Sequence, residues 1–425
     1  MELLSLFAVF FVFLLAGAPV AVALGLGAIG FLVFSDSVQF SILALRLLAS
    51  LDSVPLLAIP FFVLAGELMN TGGITHRIFD FARKLLGHVR GGLAHVNILA
   101  SLFFAGISGS AVADAAGLGR IEIKAMREAS YPAPFAAAVT AASSAVGPII
   151  PPSIMLVLYG TMADVSIGKL FAGGLVPGLL LAVAMMIYVT VVARGLGVPV
   201  DPRTPLRGIL RSLIVNLPPL LTPVLVMTAL VAGVVTPTEA GVFTAIYAAG
   251  ISFLYGGLTL RMIPEILENT LVVTGQILFI LALSVVFGWL ITTERIPELL
   301  GVYFLETGLG QYAFLALLNV VLLVLGCFMS LTSILIIVTP MLIEMTGTLG
   351  IDPVHIGVVM VLNLTIGLMT PPLGWCLYIV TEIAEIRFEE TVRAVLPFLI
   401  PLIAVLILIT YVPWTVTGLA DFFFD

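Results

Sequence analysis

The chain has 425 residues, of which 61% are hydrophobic and only 10% charged, and its formal net charge is −7. Together with a mean hydropathy of +1.25, this composition excludes an ordinary soluble domain, and no basic run of the nucleic-acid-binding type occurs. It predicts a polytopic membrane protein in a lipid bilayer.

Apolar runs long enough to cross a bilayer occur along the whole chain. A helix needs about 20 residues to span the hydrocarbon core of ~30 Å. Clear examples lie at 170–193, 213–235, 271–291 and 395–412. The first apolar run, 3–16, has no preceding basic residue and is followed directly by a second run, so we interpret it as a span and not as a cleavable signal.

Basic residues are concentrated in three linkers, at 77–90, 120–127 and 194–211. By the positive-inside rule these linkers face the cytoplasm. The resulting threading places 14 of the 17 Lys and Arg inside, leaves only Arg46, Lys169 and Arg295 outside, and predicts that both termini lie outside.

Two segments, 93–128 and 311–345, cannot be simple spans, because each has both ends on the same side of the membrane. We interpret them as re-entrant helical hairpins of opposite polarity. Their tips are residues 108–110 (the first tip) and 329–333 (the second tip). Irregular backbone at this depth is tolerated only where protein or water covers it.

A broken helix is predicted after each hairpin, at 134–160 and at 354–380. A double proline lies in each, within residues 147–153 (the first break) and 367–374 (the second break). Proline lacks the N–H donor and pushes the preceding residue out of the helix, so each break frees carbonyl groups.

The tips and breaks recur at a constant spacing, since Gly326 follows Gly106 by 220 residues and Gly367 follows Gly147 by the same number. We predict an all-α fold of two inverted repeats, 1–211 and 212–425, each with five crossings, one hairpin and a short surface arm (37–50 and 258–269). Apolar segments broken at matching places in two halves are typical of transporters that bind their cargo at the breaks.

The tips and breaks also supply oxygen ligands of the kind that a small cation prefers, because unwound carbonyls and helix C-termini carry negative partial charge. The first cation site is predicted to consist of Ser108, Gly109, Ser110, Ser144, Gly147 and Pro148. The second cation site is predicted to consist of Ser330, Thr332, Ser333, Thr365, Gly367 and Thr370. For each hydroxyl, a hydrogen bond to its own helix is the alternative.

The substrate-binding candidates are polar residues near these sites: Ser108, Asp114, Ser153, Asn363, Thr370 and Arg295. Asp114 follows the first tip by four residues, and ionisable residues inside a membrane are candidates for function; capping of the returning helix is its alternative. Arg295 is suited either to pair with a substrate carboxylate or to anchor the chain at the interface. Glu67 lies near a cytoplasmic span end, where snorkelling is expected.

Four motifs resemble the large membrane subunit of tripartite ATP-independent periplasmic (TRAP) transporters, and the resemblance covers essentially the whole chain. They are SGSAVADAAGLG (108–119), AASSAVGPIIPPS (141–153), GIDP (350–353) and NLTIGLMTPP (363–372). The resemblance implies sodium-coupled uptake of small organic acids, such as sialic acid or a dicarboxylate, by an elevator-type movement. It implies two or more Na⁺ ions and no nucleotide or organic cofactor.

The same resemblance implies two protein partners in a bacterial or archaeal cytoplasmic (inner) membrane. A soluble periplasmic binding protein would deliver the substrate, and a small four-helix membrane subunit would brace the large one. One departure is Ser330, where many members of the family have an acidic residue, so this position supplies a hydroxyl and no carboxylate to the predicted second cation site.

Other classes of function find less support in the residues. No Ser/His/Asp set, metal-ligand spacing or Walker sequence occurs, so an enzyme and an ATP-driven pump are not predicted. A single-component sodium-coupled dicarboxylate or citrate carrier of the elevator type remains the alternative. A channel is more distant, because it would need a continuous polar pore lining.

Overall fold

A computed structural model describes residues 2–34, 40–295 and 310–424 and the single residues 299, 302 and 306, and every regular element among these residues is helical. The α-helices in chain order are α1 (Glu2–Leu15), α2 (Val20–Phe34), α3 (Phe40–Leu51), α4 (Ala58–Thr71), α5 (Ile74–Leu86), α6 (Gly92–Ser108), α7 (Ala111–Glu128), α8 (Ala133–Ser143), α9 (Ile154–Ala163), α10 (Ile167–Leu196), α11 (Leu206–Val231), α12 (Pro237–Leu254), α13 (Ile263–Thr293), α14 (Gly310–Phe328), α15 (Leu331–Leu349), α16 (Pro353–Gly367), α17 (Trp375–Ala384), α18 (Phe388–Tyr411) and α19 (Trp414–Phe424).

Seven segments of the described chain are long and apolar enough to cross a membrane. They are Val54–Thr71, Ile167–Gly195, Leu206–Val231, Ile263–Thr293, Gly310–Phe328, Leu331–Leu349 and Phe388–Tyr411. The four clear spans expected from the sequence lie in α10, α11, α13 and α18, although α11 ends at Val231, four residues earlier than the apolar run. The helical, membrane-spanning class of the fold is therefore confirmed.

Two helix pairs occupy the segments expected to be hairpins. α6 and α7 pack against each other and are joined at Gly109, which has a left-handed φ of +58°. α14 and α15 also pack together, and the Ser330 side chain caps α15 by accepting a hydrogen bond from the Ser333 N–H (3.2 Å). Each tip is thus a helix end followed at once by a serine-capped helix start.

Two interrupted helices follow these pairs. α8 ends at Ser143 and passes through the short 3₁₀ turn Ser144–Val146 before α9 begins. α16 ends at Gly367, and α17 begins after Gly374. Both double prolines, in the first and the second break, contain a cis peptide bond.

The two interrupted helices form the centre of the molecule, since residues 136–160 and 354–369 are buried without exception. Each second piece packs on the other half of the chain: α9 contacts α15, and α17 contacts α7 and α8. Small side chains in α8 permit this close packing. The tips and breaks of both halves are thereby drawn toward one region.

Two details differ from the expectation. Residues 258–269 do not form a separate arm, because from Ile263 onward the chain is one continuous helix of 31 residues, with its only proline in the first turn. The first basic linker contains the unexpected amphipathic helix α5, whose Arg83 forms an ion pair with Asp201 (2.7 Å). Residues 37–39 of the first predicted arm lie outside the described residues.

Candidate functional site

The first tip lies directly against the first break. A Cβ added to Gly109 would lie 2.7 Å from the Pro152 carbonyl oxygen, and one added to Gly147 would lie 3.1 Å from the Ser110 carbonyl oxygen. Only glycine permits such an approach of two backbones. The 3₁₀ turn at 144–146 also packs on α7, so the residues predicted for the first cation site come together.

One hydroxyl of the first cation site is free for a ligand. Ser108 Oγ is buried and has no hydrogen-bond partner among the described residues. By contrast, Ser144 Oγ donates to the Ala141 carbonyl (2.8 Å), and Ser110 Oγ accepts from the Ala113 N–H (3.4 Å). An unpartnered buried hydroxyl among carbonyl groups fits a small cation, because such an ion takes oxygen ligands without needing a full negative charge.

The hydroxyl groups predicted for the second cation site already form hydrogen bonds within the protein. Ser330 Oγ and Ser333 Oγ are 2.7 Å apart. Thr365 and Thr370 donate to carbonyls of their own helical segment, Val361 (2.6 Å) and Ile366 (2.8 Å). Thr365 and Thr370 therefore follow the alternative interpretation, a hydrogen bond to the backbone of their own helix. Their oxygen lone pairs remain available to a ligand.

Glycine-to-glycine contact draws the second hairpin onto the second break. A Cβ added to Gly367 would lie 2.6 Å from the Cα of Gly326, at the end of α14. Thr332 points elsewhere, donating to the Met155 sulfur on α9 (3.8 Å). The end of α14, just before the second tip, therefore touches the second break, and the second tip itself touches the first half of the chain.

A cavity of about 750 Å³ (the central cavity) lies between the two tips. It is lined by Val63, Gly66, Glu67, Asn70, Phe104, Ser108, Ser110, Val112, Ala113, Ala116, Gly117, Arg120, Ile154, Met155, Val273, Gln276, Ile277, Ile280, Ser330 and Thr332. α4 and α13 form one wall, and both tips with α7 and the start of α9 form the other. Its size suits a small molecule.

The predicted substrate-binding residues are divided by the structure. Ser108 lines the central cavity, and Ser153 immediately precedes its lining residue Ile154 while capping α9 through the Leu156 N–H (3.1 Å). The other four do not belong to the lining. Asp114 faces α6, Asn363 is turned to α14, Thr370 lies at the second break, and Arg295 is exposed at the end of α13.

A buried polar network missed by the sequence analysis joins α6 to α8. Asn97 Nδ2 donates to Thr140 Oγ1 (2.7 Å), and Ser143 Oγ donates to Asn97 Oδ1 (2.7 Å). Ser101 Oγ in turn donates to Ser143 Oγ (3.0 Å). Such a satisfied network rigidifies the first hairpin on its broken helix.

Two carboxyl groups of α7 border this network. Asp114 and Glu122 are each only 1% exposed, and their oxygens lack a hydrogen-bond partner among the described residues. Ser101 lies beside Asp114 and Thr140 beside Glu122. In the sequence Glu122 has the character of a surface residue, because the basic residues Arg120 and Lys124, both exposed, lie two positions to either side.

The second half has a related contact. Asn363 Nδ2 donates to the side-chain oxygen of Asn319 (2.7 Å), and Asn319 Nδ2 donates to Thr410 Oγ1 (3.0 Å). Asn363 follows Ser143 by 220 residues. At this matched pair of positions, a polar side chain ties each broken helix to the first arm of its hairpin.

Comparison with known proteins agrees with this arrangement. The family profile described as "Tripartite ATP-independent periplasmic transporter, DctM component" matches residues 7–415. The sialic acid TRAP transporter large permease protein SiaM of Vibrio cholerae is 43% identical, with 94% of each chain covered. The C4-dicarboxylate TRAP transporter large permease protein DctM of Pseudomonas aeruginosa is 40% identical, with 92% of each chain covered.

A solved structure is similar in fold alone. The crystal structure of the YdaH transporter of Alcanivorax borkumensis matches with a TM-score of 0.62 at 16% identity, covering 89% of this chain and 88% of that one. The family resemblance expected from the four motifs is confirmed by the profile and by the relatives. The chain therefore belongs to the DctM family, the large permease component of tripartite ATP-independent periplasmic transporters, and is a multi-pass protein of the inner membrane.

Proposed function

We propose that the protein carries small organic acids across the inner membrane, coupled to Na⁺. The observation that carries this proposal is the central cavity, because both tips contribute hydroxyl-bearing residues to its lining: Ser108, Ser110, Ser330 and Thr332. Relatives named for sialic acid and for C4-dicarboxylates support a carboxylate as the substrate.

Sodium coupling rests on the two cation sites. At the first, Ser108, Ser110 and Ser144 with the backbone of Gly109, Gly147 and Pro148 would hold one ion, and the free Ser108 hydroxyl supports it. At the second, Ser330, Thr332, Ser333, Thr365, Gly367 and Thr370 would hold another. A bound ion would supply positive charge beside the cavity, which favours an anionic substrate.

The two inverted repeats, 1–211 and 212–425, are part of the proposal. The paired tips, the paired breaks and the matched Ser143 and Asn363 contacts support them. The elevator movement is proposed because the tips and breaks pack into one unit, whereas α4 and α13 form the opposite wall of the central cavity.

Membership in the family supports two partners. We propose that a soluble periplasmic binding protein delivers the substrate and that a small four-helix membrane subunit braces this chain. The acidic residues Glu294, Glu306 and Asp352 would face the soluble partner, favouring basic patches on it. Glu298, expected in the same group, lies outside the described residues.

Uptake into proteoliposomes tests the proposal. The large subunit, with its small subunit, is reconstituted and supplied with sialic acid or succinate, with and without the binding protein and an inward Na⁺ gradient. If uptake requires the binding protein and also the Na⁺ gradient, the tripartite, sodium-coupled function is supported. Robust uptake of free substrate without a soluble protein would favour the single-component carrier, and uptake driven by protons without any effect of Na⁺ would contradict the cation sites.

A further inference from the structure

One face of α7 changes from apolar to basic as it leaves the first tip. Ala113, Ala116, Gly117 and Arg120 all line the central cavity. They are three or four residues apart and therefore share one face of the helix. Arg120 is the last of them and lies ten residues beyond Ser110, about 15 Å along the axis.

Among the described residues that line the central cavity, Arg120 is the single cation and Glu67 is the single carboxylate. They lie on opposite walls, Arg120 on α7 and Glu67 on α4. The two walls meet where a Cβ on Gly117 would lie 3.0 Å from the Asn70 side-chain oxygen. An anion in this part of the cavity is therefore attracted to the α7 wall and repelled by the α4 wall.

The Arg120 side chain is exposed and available. The ion pairs formed among the described residues are those of Arg83 with Asp201 and of Arg127 with Glu385, and Arg120 takes part in neither. A guanidinium matches a carboxylate with two parallel N–H···O bonds. A helical side chain leans toward the N-terminus of its helix, which here directs Arg120 back toward the tip.

The positive charge continues beyond the central cavity. Arg120 also lines an adjoining cavity of about 540 Å³, together with the cations Lys124 and Arg127 and the carboxylates Glu128 and Glu385. The three cations share one face of α7, and Arg127 is paired with Glu385. Three cations against two carboxylates leave a net charge of +1 in this lining, so a modest positive potential extends from the central cavity toward the side that the positive-inside rule assigns to the cytoplasm.

We propose that Arg120 forms a second anion-binding subsite, which holds the substrate carboxylate at the cytoplasmic end of the central cavity after it leaves the two tips. The side-chain amides of Asn70 and Gln276, which line the same cavity, are suited to accept hydrogen bonds from the substrate's hydroxyl groups and to donate them to its carbonyl groups. This inference rests on the proposed function. It adds a residue that acts on the cytoplasmic half of the transport cycle, apart from the cation sites.

Exchange across proteoliposomes tests the subsite, because it measures the half-saturation concentration for internal substrate separately from that for external substrate. Arg120→Gln is expected to raise the half-saturation concentration for internal substrate about tenfold, because losing a charged hydrogen bond costs about 1.4 kcal/mol. The external value and the Na⁺ dependence are expected to stay unchanged. Arg120→Lys keeps the charge without the bidentate geometry and is expected to fall in between.

Lys124→Gln is the matched control, since it removes the same charge from the same helix but outside the central cavity. It is expected to leave both values near those of the wild type. Equal effects of Arg120→Gln and Lys124→Gln would overturn the subsite in favour of a general surface potential. An unchanged internal value in Arg120→Gln would also overturn it, while leaving the proposed function standing.

A second measurement covers the case in which Arg120→Gln does not fold. Ala116→Cys introduces a thiol one turn from Arg120 in the otherwise intact protein, whose own cysteines are both buried. Internal sialic acid or succinate is expected to slow its alkylation, and Arg120→Lys to weaken this protection. Absence of protection in a protein that transports the same acid would overturn the subsite. A wild-type protein that transports no organic acid would overturn the proposed function as well.

Discussion

At the scale of single residues, Ser108 carries the hydroxyl of the first tip that has no hydrogen-bond partner in the described part of the chain. It lies against the first break and borders the central cavity. Asp114, six residues further along and on α7, is instead directed toward Ser101 on α6. The structure thus separates a residue able to contact a ligand from one suited to order the surroundings.

Ser108→Ala is expected to weaken the apparent Na⁺ affinity by about 1–3 kcal/mol, because a buried site has no spare ligand to replace the lost oxygen. Ser144→Ala is expected to cost less, since that hydroxyl already donates to Ala141. The Na⁺ dependence of uptake measures both. Equal Na⁺ affinity in Ser108→Ala and the wild type would remove this hydroxyl from the first cation site.

Glu122→Gln is expected to change the free energy of unfolding by less than about 1 kcal/mol, because the amide keeps the volume and avoids burying a charge. Glu122→Ala is expected to cost about 2–4 kcal/mol through the cavity it leaves. Thermal unfolding in detergent distinguishes them, with the exposed Glu128→Gln as the control. If Gln were as harmful as Ala, the carboxylate itself would be required, with a cation as its partner.

At the scale of elements, the breaks depend on glycines that let two backbones touch. Gly109 combines a left-handed φ of +58° with an approach to the Pro152 carbonyl, whereas Gly73 has a φ of +73° and open space around it. Both glycines have a left-handed backbone, which would strain any other residue, and only Gly109 also has a close tertiary contact. They therefore separate the conformational role of glycine from its role in packing.

Gly109→Ala is expected to lower both the unfolding temperature and the Na⁺ affinity, because the methyl group would push the first tip off the first break. Gly73→Ala is expected to cost only the left-handed strain of about 1–2 kcal/mol, with Na⁺ affinity unchanged. Thermal unfolding with and without Na⁺ measures both effects. The same loss of Na⁺ affinity in the two variants would argue against tip packing as the cause.

At the scale of the whole molecule, the central cavity lies between two groups of elements. The tips, α7 and α9 lie on one side, and α4 and α13 lie on the other. α9 and α17 each pack on elements of the opposite half. Because the two halves interlock in this way, we expect the hairpins and broken helices to move together as one body.

A cross-link between the first tip near Ser108 and α4 near Leu64 is therefore expected to stop uptake, as is one between the second tip near Ser330 and α13 near Leu283. Reduction of the cross-link is expected to restore uptake. A cross-link between α6 and α7, within one wall, is the control and is expected to have little effect. Full uptake with either tip tethered to the opposite wall would contradict the elevator movement.

The sequence by itself determined the membrane class, the segments of the two hairpins and broken helices, and the family. Apolar runs of about 20 residues, prolines and glycines act locally, so their positions can be interpreted without a partner. The residues predicted for the first cation site also adjoin a tip or a break, and the site itself stays a prediction. The separate arm predicted at 258–269 is wrong, because no breaker interrupts α13 after its first turn and the helix runs on from Ile263.

Only the tertiary structure decided which polar side chains face the central cavity and which face a neighbouring helix. Glu67 was expected to snorkel but lines the central cavity. Arg120, which the sequence assigned to a cytoplasmic linker, lines the same cavity. Glu122 is buried among helices. Sequence spacing indicates which residues share a helix face. The rotation of that helix about its own axis is set by packing against its partners, and those contacts come from distant parts of the chain.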